Sequence, residues 1–454
     1  MSERLRGLRG RLDEALFRDA PRPGRRLEAW EQALLVVSLI ALAVFLQLLR
    51  IGFSASLDAL WAEDGPIFLQ GALTESFGEA VFSPYAGYLV LVPRLIGEGA
   101  GLVPIEHAAA ATSILSALAV ALCGLAVWHA AAGLVRNPYL RGALVVLTVL
   151  VPVAGLESID SAAYVPWYML FATFWLLLWR PRTTLGAVLG SLFVLVTGLS
   201  SPGVWFFLPV AALRALAARG WRDVALLGSY AVGALTQVPV LALNQDQAVE
   251  PLWTSDIWTA YAQRVIDGAA FGQRLGGAAW AHLGWPFLTA VLVCAAVGLA
   301  IGIWRGGPTA RWFAALTVPI SLALFVVSTY QRAVGTQIMW PPDNYHGAAG
   351  RYAIVPALLL VSLAVVMVDN AARRRGETGW RSWLAIGAVA LALVGVTTSF
   401  DMRDPAARGE IRWGKAVDGA AIACSAEDLG EVSVPSSPVG FGLEVPCERL
   451  ASSP

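Results

Sequence analysis

Glu63 and Asp64 stand side by side in "LWAEDGPIFLQGAL", Leu60 to Leu73, flanked by Trp61 and Phe68. A carboxylate held within hydrogen-bond reach can take the proton of an attacking hydroxyl, and paired carboxylates can also ligate a metal. The plainer reading of the same pair is a helix start, where acids complement the helix dipole. No Arg or Lys lies in the surrounding 54–84 stretch, which also carries Asp58, Glu75 and Glu79.

Further along, Tyr85 and Tyr88 fall three residues apart, one face of a helix if the segment is helical. Arg94 follows and matches phosphate oxygens in geometry; an interfacial aromatic belt with a snorkelling Arg is the alternative. Glu157 and Asp160, with Trp167 nearby, offer hydroxyl acceptors and an aromatic face, the materials that grip a sugar; a solvated turn uses the same residues. A late stretch holds Arg332, Asp343, Tyr345, His346 and Arg351. Its two Arg suit an anionic ligand at headgroup level, or pairing with Asp343 and lipid. Ser200 and Ser201 before Pro202 read as a helix cap. The four His are scattered and no zinc-type spacing occurs. No metal ligand set is assigned, so a divalent metal stays open as a cofactor.

These residues need a scaffold, and the composition names it. Apolar residues make up 57% of the 454, charged ones only 14%, and there are 18 Trp; mean hydropathy is +0.64. Apolar runs of about 20 residues recur, the length that crosses a bilayer as helix. The expected fold is an all-α polytopic membrane protein with about eleven transmembrane helices. The spans are drawn at 29–53, 105–133, 143–156, 162–179, 183–199, 203–219, 223–243, 281–304, 312–329, 352–369 and 382–399. The third begins early, near Leu140. The 244–280 stretch, with Asp256, Arg264, Asp267 and Arg274, is left as a loop of balanced charge without a role. The apolar piece from Tyr85 to Pro104 is too short and too broken to cross, so it is expected at the outer interface, as is a helix through the acidic pair.

All but one of the 32 basic Lys and Arg residues are Arg, a bias that, with abundant Ala, fits a GC-rich, actinobacterial source. Arg clusters in the arm 1–28 and in alternate loops around 136–141, 180–182, 214–222, 305–311 and 373–381. By the positive-inside rule the N-terminus is cytoplasmic and the C-terminus extracytoplasmic in the plasma membrane. The organisation is then a cytoplasmic arm 1–28, a membrane domain 29–399 with the outer loop 54–104, and a small outer tail 400–454. In the tail, "EIRWGKAVDGAAIAC" reads as a helix and "EVSVPSSPVGFGLEVPC" as a short hairpin. Cys424 and Cys447 lie there, where an oxidising compartment permits a disulfide. No nucleotide-binding loop is found, which argues against ATP-driven transport.

A cytoplasmic N-terminus, one span, then a long outer loop with an acidic motif and interfacial helices resembles the GT-C superfamily of integral-membrane glycosyltransferases. The match rests on "AED" at 62–64 and on "GYLVLVPRL", which is similar to the second interfacial helix of that family. The resemblance implies a GT-C-like fold and transfer of a sugar from a polyprenyl-phosphate-linked donor to a lipid or glycan acceptor of the cell envelope. It implies inversion at the anomeric carbon with Asp64, or Glu63 beside it, as base. It further implies that Arg94, Arg332 and Arg351 hold the donor phosphate. Tyr85, Tyr88, Glu157, Asp160, Trp167, Asp343, Tyr345 and His346 are then the candidates for sugar and acceptor. The second acidic motif of the family is not evident, which leaves metal dependence open. Nucleic acid is not an expected partner. A transporter or flippase of lipid-linked saccharide is the main rival; it predicts charged or helix-breaking residues within spans and repeat symmetry. A surface-polysaccharide polymerase would favour a larger late outer loop.

Overall fold

The computed structural model describes residues 3–20, 28–244, 255–332, 350–375, 380–403, 408, 410–426 and 429–450. The longer helices are α1 (Glu3–Ala15), α2 (Ala29–Ile51), α3 (Leu91–Gly101), α4 (Ala108–Ala130), α5 (Pro138–Val149), α6 (Val165–Leu178) and α7 (Thr184–Gly198). They continue as α8 (Leu208–Ala217), α9 (Trp221–Leu243), α10 (Gly268–Arg305), α11 (Gly307–Arg332), α12 (Arg351–Arg375), α13 (Trp380–Thr398) and α14 (Trp413–Ala426). Two antiparallel strands, β1 (Glu431–Ser436) and β2 (Phe441–Pro446), form a hairpin in register from Glu431 opposite Pro446 to Ser436 opposite Phe441.

Among the described residues, six helical segments are long and apolar enough to cross a membrane, and four shorter apolar helices lie between them. The chain is a multi-pass helical membrane protein. Its outer helices turn large apolar side chains outwards: Leu34, Leu35, Val37, Leu39 and Leu42 of α2 are all exposed. In water such a stripe would be unstable; against lipid tails it is at home.

α6 behaves differently. Nearly every residue from Val165 to Leu178 is buried, as expected of a helix that is apolar all round. It packs on α4, α7 and α12 and forms the centre of the bundle. Helices that pair closely do so at glycine. A Cβ on Gly198 of α7 would lie 2.7 Å from Gly233 Cα of α9, so the two backbones touch there, as small residues permit between membrane helices.

Three elements differ from the sequence expectation. The 244–280 stretch is helical from Asp256 onwards and runs through a π-type turn, Tyr261–Asp267, into α10. Gly272 (φ 74°) and Gly284 (φ 56°) break α10 where an unbroken period would have betrayed it. α5 spans Pro138–Val149 and stops short of 156, because Pro152 and Gly155 turn the chain into the loop before α6. Tyr85 and Tyr88 are not helical. They pair across a tight turn whose central residues, Ala86 (φ 54°) and Gly87 (φ 88°), are both left-handed, and the helix starts only at Leu91.

Candidate functional site

The site is built where the N-terminal end of α6 meets the long loop that follows α2. The acidic pair lies in a single 3-10 turn, Ala62–Asp64, followed by a π-type turn over Gly65–Leu69. The two carboxylates face different surroundings. Asp64 is 1% exposed. Its oxygens accept the backbone N–H groups of Ala162 (3.2 Å) and Ala163 (3.1 Å), which start the turn before α6. Burial pushes its pKa up to about 7 against the pull of the Ala163 N–H group. Glu63 is half-buried. Its carboxylate accepts the Tyr85 hydroxyl at 3.3 Å and the Tyr164 hydroxyl at 3.4 Å.

Arg351, at the start of α12, joins the same cluster. Its Nη1 donates to Glu157 Oε2 at 2.7 Å and to the Tyr164 hydroxyl at 3.4 Å, and its Nη2 to the Tyr352 hydroxyl at 3.1 Å. Its guanidinium also lies over the Tyr164 and Tyr352 rings. Trp167 meets Tyr352 edge-on at 5.7 Å. Glu63, Tyr85, Glu157, Trp167 and Arg351 are therefore one connected group through Tyr164 and Tyr352. Tyr88 borders it by its pairing with Tyr85.

Among the described residues, Arg94 and Asp160 make no hydrogen bond to this group, although Phe68, beside Arg94, meets the Tyr85 ring edge-on at 6.0 Å. Arg94 is buried, donates to the Ile67 carbonyl and lies over the Phe68 ring, pinning the acidic loop from beneath. Asp160 is buried, with Ser56 Oγ donating to it at 2.8 Å; burial raises its pKa to about 6. Asp343, Tyr345, His346 and the side chain of Arg332 lie outside the described residues. Among the described residues no group of three or more His, Cys, Asp or Glu forms a metal site. The accessible carboxylate is Glu63: Asp64 is engaged by N–H groups and Glu157 by Arg351.

Two cations to which the sequence reading assigned no role also enter the site. Arg264, buried in the π-type turn, acts electrostatically on Glu157. Arg408 comes from the tail and is fully buried. It lies 4.8 Å over the Trp61 ring and donates to the Ile159 carbonyl at 2.6 Å, so it is clamped between the residues that precede the two buried acids. Both Asp160 and Asp64 feel its charge. The tail around it also carries Arg403, Arg412 and Lys415, so the sequence did not single it out.

The tail delivers Arg408 by docking on the acidic loop. Ala62 N–H donates to the Ser437 carbonyl, and Ser437 N–H to Leu60 at 2.9 Å. Asp58 accepts from Trp413 N–H at 2.8 Å on its carbonyl and from Gly414 N–H at 2.7 Å on its side chain. Leu60 and Leu69 share an apolar cluster with Trp413, Val434 and Leu443. Cys424 and Cys447 are joined, tying α14 to the end of the hairpin. Among the described residues the three non-glycine positions with positive φ are Ala62, Ala86 and Asp160. All three fall in the two loops of this site, and such backbones cost about 1–3 kcal/mol each unless the surroundings hold them.

Neither a protein-family model nor a curated protein matches the chain. Among solved structures, a crystal structure of an Archaeoglobus fulgidus oligosaccharyltransferase, in complex with zinc and sulfate, is similar at a TM-score of 0.37 and 10% identity. The likeness covers 85% of this chain and 55% of that one, so the chain spans about half of that structure's length.

Proposed function

We propose that this protein is a GT-C-type glycosyltransferase with about eleven membrane crossings. In this reading it transfers a sugar from a polyprenyl-phosphate donor to a lipid or glycan acceptor on the outer face of the plasma membrane. The observation that carries the reading is Glu63. It is a half-buried carboxylate in the loop after α2, held by two tyrosine hydroxyls beside an Arg351–Glu157 pair and the Trp167–Tyr352 rings.

The reaction is one displacement. The acceptor oxygen attacks the anomeric carbon as its proton passes to a carboxylate. The bond from that carbon to the phosphate oxygen breaks, and polyprenyl phosphate leaves with the electron pair. The configuration inverts. Geometry precedes pKa in choosing a base, and Glu63 is the member of the pair that a substrate hydroxyl can reach without unfolding the loop. Asp64 then fixes the loop to the start of α6. Arg351 shares the Tyr164 hydroxyl with Glu63 and is the cation that would meet charge developing on the leaving phosphate, an arrangement that contributes on the order of 3 kcal/mol. Tyr85, Tyr88, Trp167 and Glu157 form the walls for the sugar. No step is routed through a metal. Release of polyprenyl phosphate from defined donors by the purified protein in lipid tests the reading; absence of release with every donor and envelope acceptor would count against it.

A further inference from the structure

A charged cavity lies at the end of α6 away from the acidic loop. Arg180 and Pro181 follow α6 and Arg219–Asp223 lead into α9; between them is a cavity of about 280 Å³ with Asp19 of the N-terminal arm on its wall. Helical rise alone separates it from the acidic loop by roughly 20 Å. By Arg placement this is the cytoplasmic end.

Its charges do not balance. Arg180, Arg214 and Arg219 share two carboxylates. Arg180 and Arg219 bond to Asp13, and Arg214 lies 2.7 Å from Asp223, which Arg180 approaches only to 3.9 Å. Arg222 spends one nitrogen on the Arg182 carbonyl. The Nε atoms of Arg180 and Arg222 have no hydrogen-bond partner, although Arg180 is 6% exposed. Asp19 is the remaining acid, and it is exposed. The first turn of the 23-residue helix α9 lies in the wall, and helix N-termini favour anions. Trp221 is 55% exposed with the Arg222 guanidinium 5.6 Å from its ring centroid. An exposed Trp beside Arg marks the level of lipid headgroups.

We propose that this cavity binds a phosphate group, carried by an anionic phospholipid of the adjacent leaflet or by soluble phosphate. The bound anion would complete the ion-pair group that joins α1, the arm, to α6, α8 and α9. The inference is independent of the chemistry at the other end of the bundle.

The test is lipid retention and thermal unfolding, with no activity needed. The protein is placed in phosphatidylcholine nanodiscs with and without phosphatidylglycerol, and separately in detergent with inorganic phosphate. Arg219→Gln/Arg222→Gln is compared, since neither side chain is buried. The native protein should retain phosphatidylglycerol and unfold at higher temperature with it. The double variant should bind it about 30-fold more weakly, roughly fivefold per cation lost. Asp19→Asn should strengthen binding. Protection of the native protein by inorganic phosphate, with nothing added by phosphatidylglycerol, would assign the site to soluble phosphate. Equal phosphatidylglycerol and phosphate responses in native and double-variant protein, or none in either, would overturn the proposal. Should the double variant fail to fold, Asp19→Asn decides: unchanged retention overturns it.

Discussion

Two neighbouring carboxylates have been given opposite environments, and the division of labour follows from that. Glu63 is half-buried and faces hydroxyl groups; Asp64 faces backbone N–H groups and is buried. Replacing Tyr164 by Phe removes one hydrogen bond to Glu63 and one to Arg351. The expected loss in turnover is roughly tenfold, in keeping with hydrogen bonds to charged groups, and steady-state kinetics would measure it. Asp64 also makes a pH prediction. Its folded pKa, about 7, lies above its ordinary 3.8, so between those values the folded state holds a proton that the unfolded state has lost. Stability then falls as pH rises from about 4 to 7 and levels off above. Asp160, raised to about 6, adds a slope of the same sign. Thermal unfolding across this range should show the decline in the native protein and a weaker one in Asp64→Asn. A native profile that rises over the same window would refute the assignment.

At the scale of elements, the tail is the clamp on the site. β1 and β2 hold Leu60 and Ala62 through Ser437, α14 holds Asp58, and Arg408 fills the space between Trp61 and Ile159. Removing the bridge by Cys447→Ser frees a segment of 23 residues' separation, worth about 3 kcal/mol for a loop of that size. The expected result is faster proteolysis of the tail with a parallel fall in transfer activity. Tail loosening without loss of activity would show that the clamp is dispensable. Arg408→Gln should act through the same loop while leaving the disulfide intact. In the bundle, Gly233→Val would separate α7 from α9, and thermal stability should drop by about 1–3 kcal/mol, the usual cost of overpacking.

The sequence made these elements legible to different degrees. Long apolar helices such as α2 and α9 could be drawn from hydropathy, and alternation in "EVSVPSSPVGFGLEVPC" marked the hairpin. Ser201 caps its turn through Gly203 N–H, as Ser before Pro suggests. Glu63, Tyr85, Glu157, Trp167 and Arg351 were legible because charges and aromatics are conspicuous in apolar sequence. What was not legible was tertiary. Glycine breaks hid the helical run that carries Arg264. Nothing local told that Arg408 would cross from the tail to the acidic loop, or that Arg94 would turn inwards to a carbonyl.

For the whole molecule, the two ends of the bundle carry distinct chemistry. One end has acids, aromatics and the tail; the other has the Arg–Asp group that docks α1. The proposed orientation puts the first outside and the second in the cytoplasm. It predicts that a thiol at Glu14→Cys resists a membrane-impermeant maleimide in intact cells, while one at Ser433→Cys reacts. Reversed labelling would invert the topology and remove the donor from reach of the acidic loop. The central claim is transfer with Glu63 as the proton acceptor. The most direct measurement is release of polyprenyl phosphate from lipid-linked sugar donors by the native protein, Glu63→Gln and Asp64→Asn in the same lipid. The account predicts release by the native protein, a fall of about 10²-fold or more in Glu63→Gln, and a smaller loss in folded Asp64→Asn. Full release by Glu63→Gln with none from folded Asp64→Asn would contradict it and move the base to Asp64.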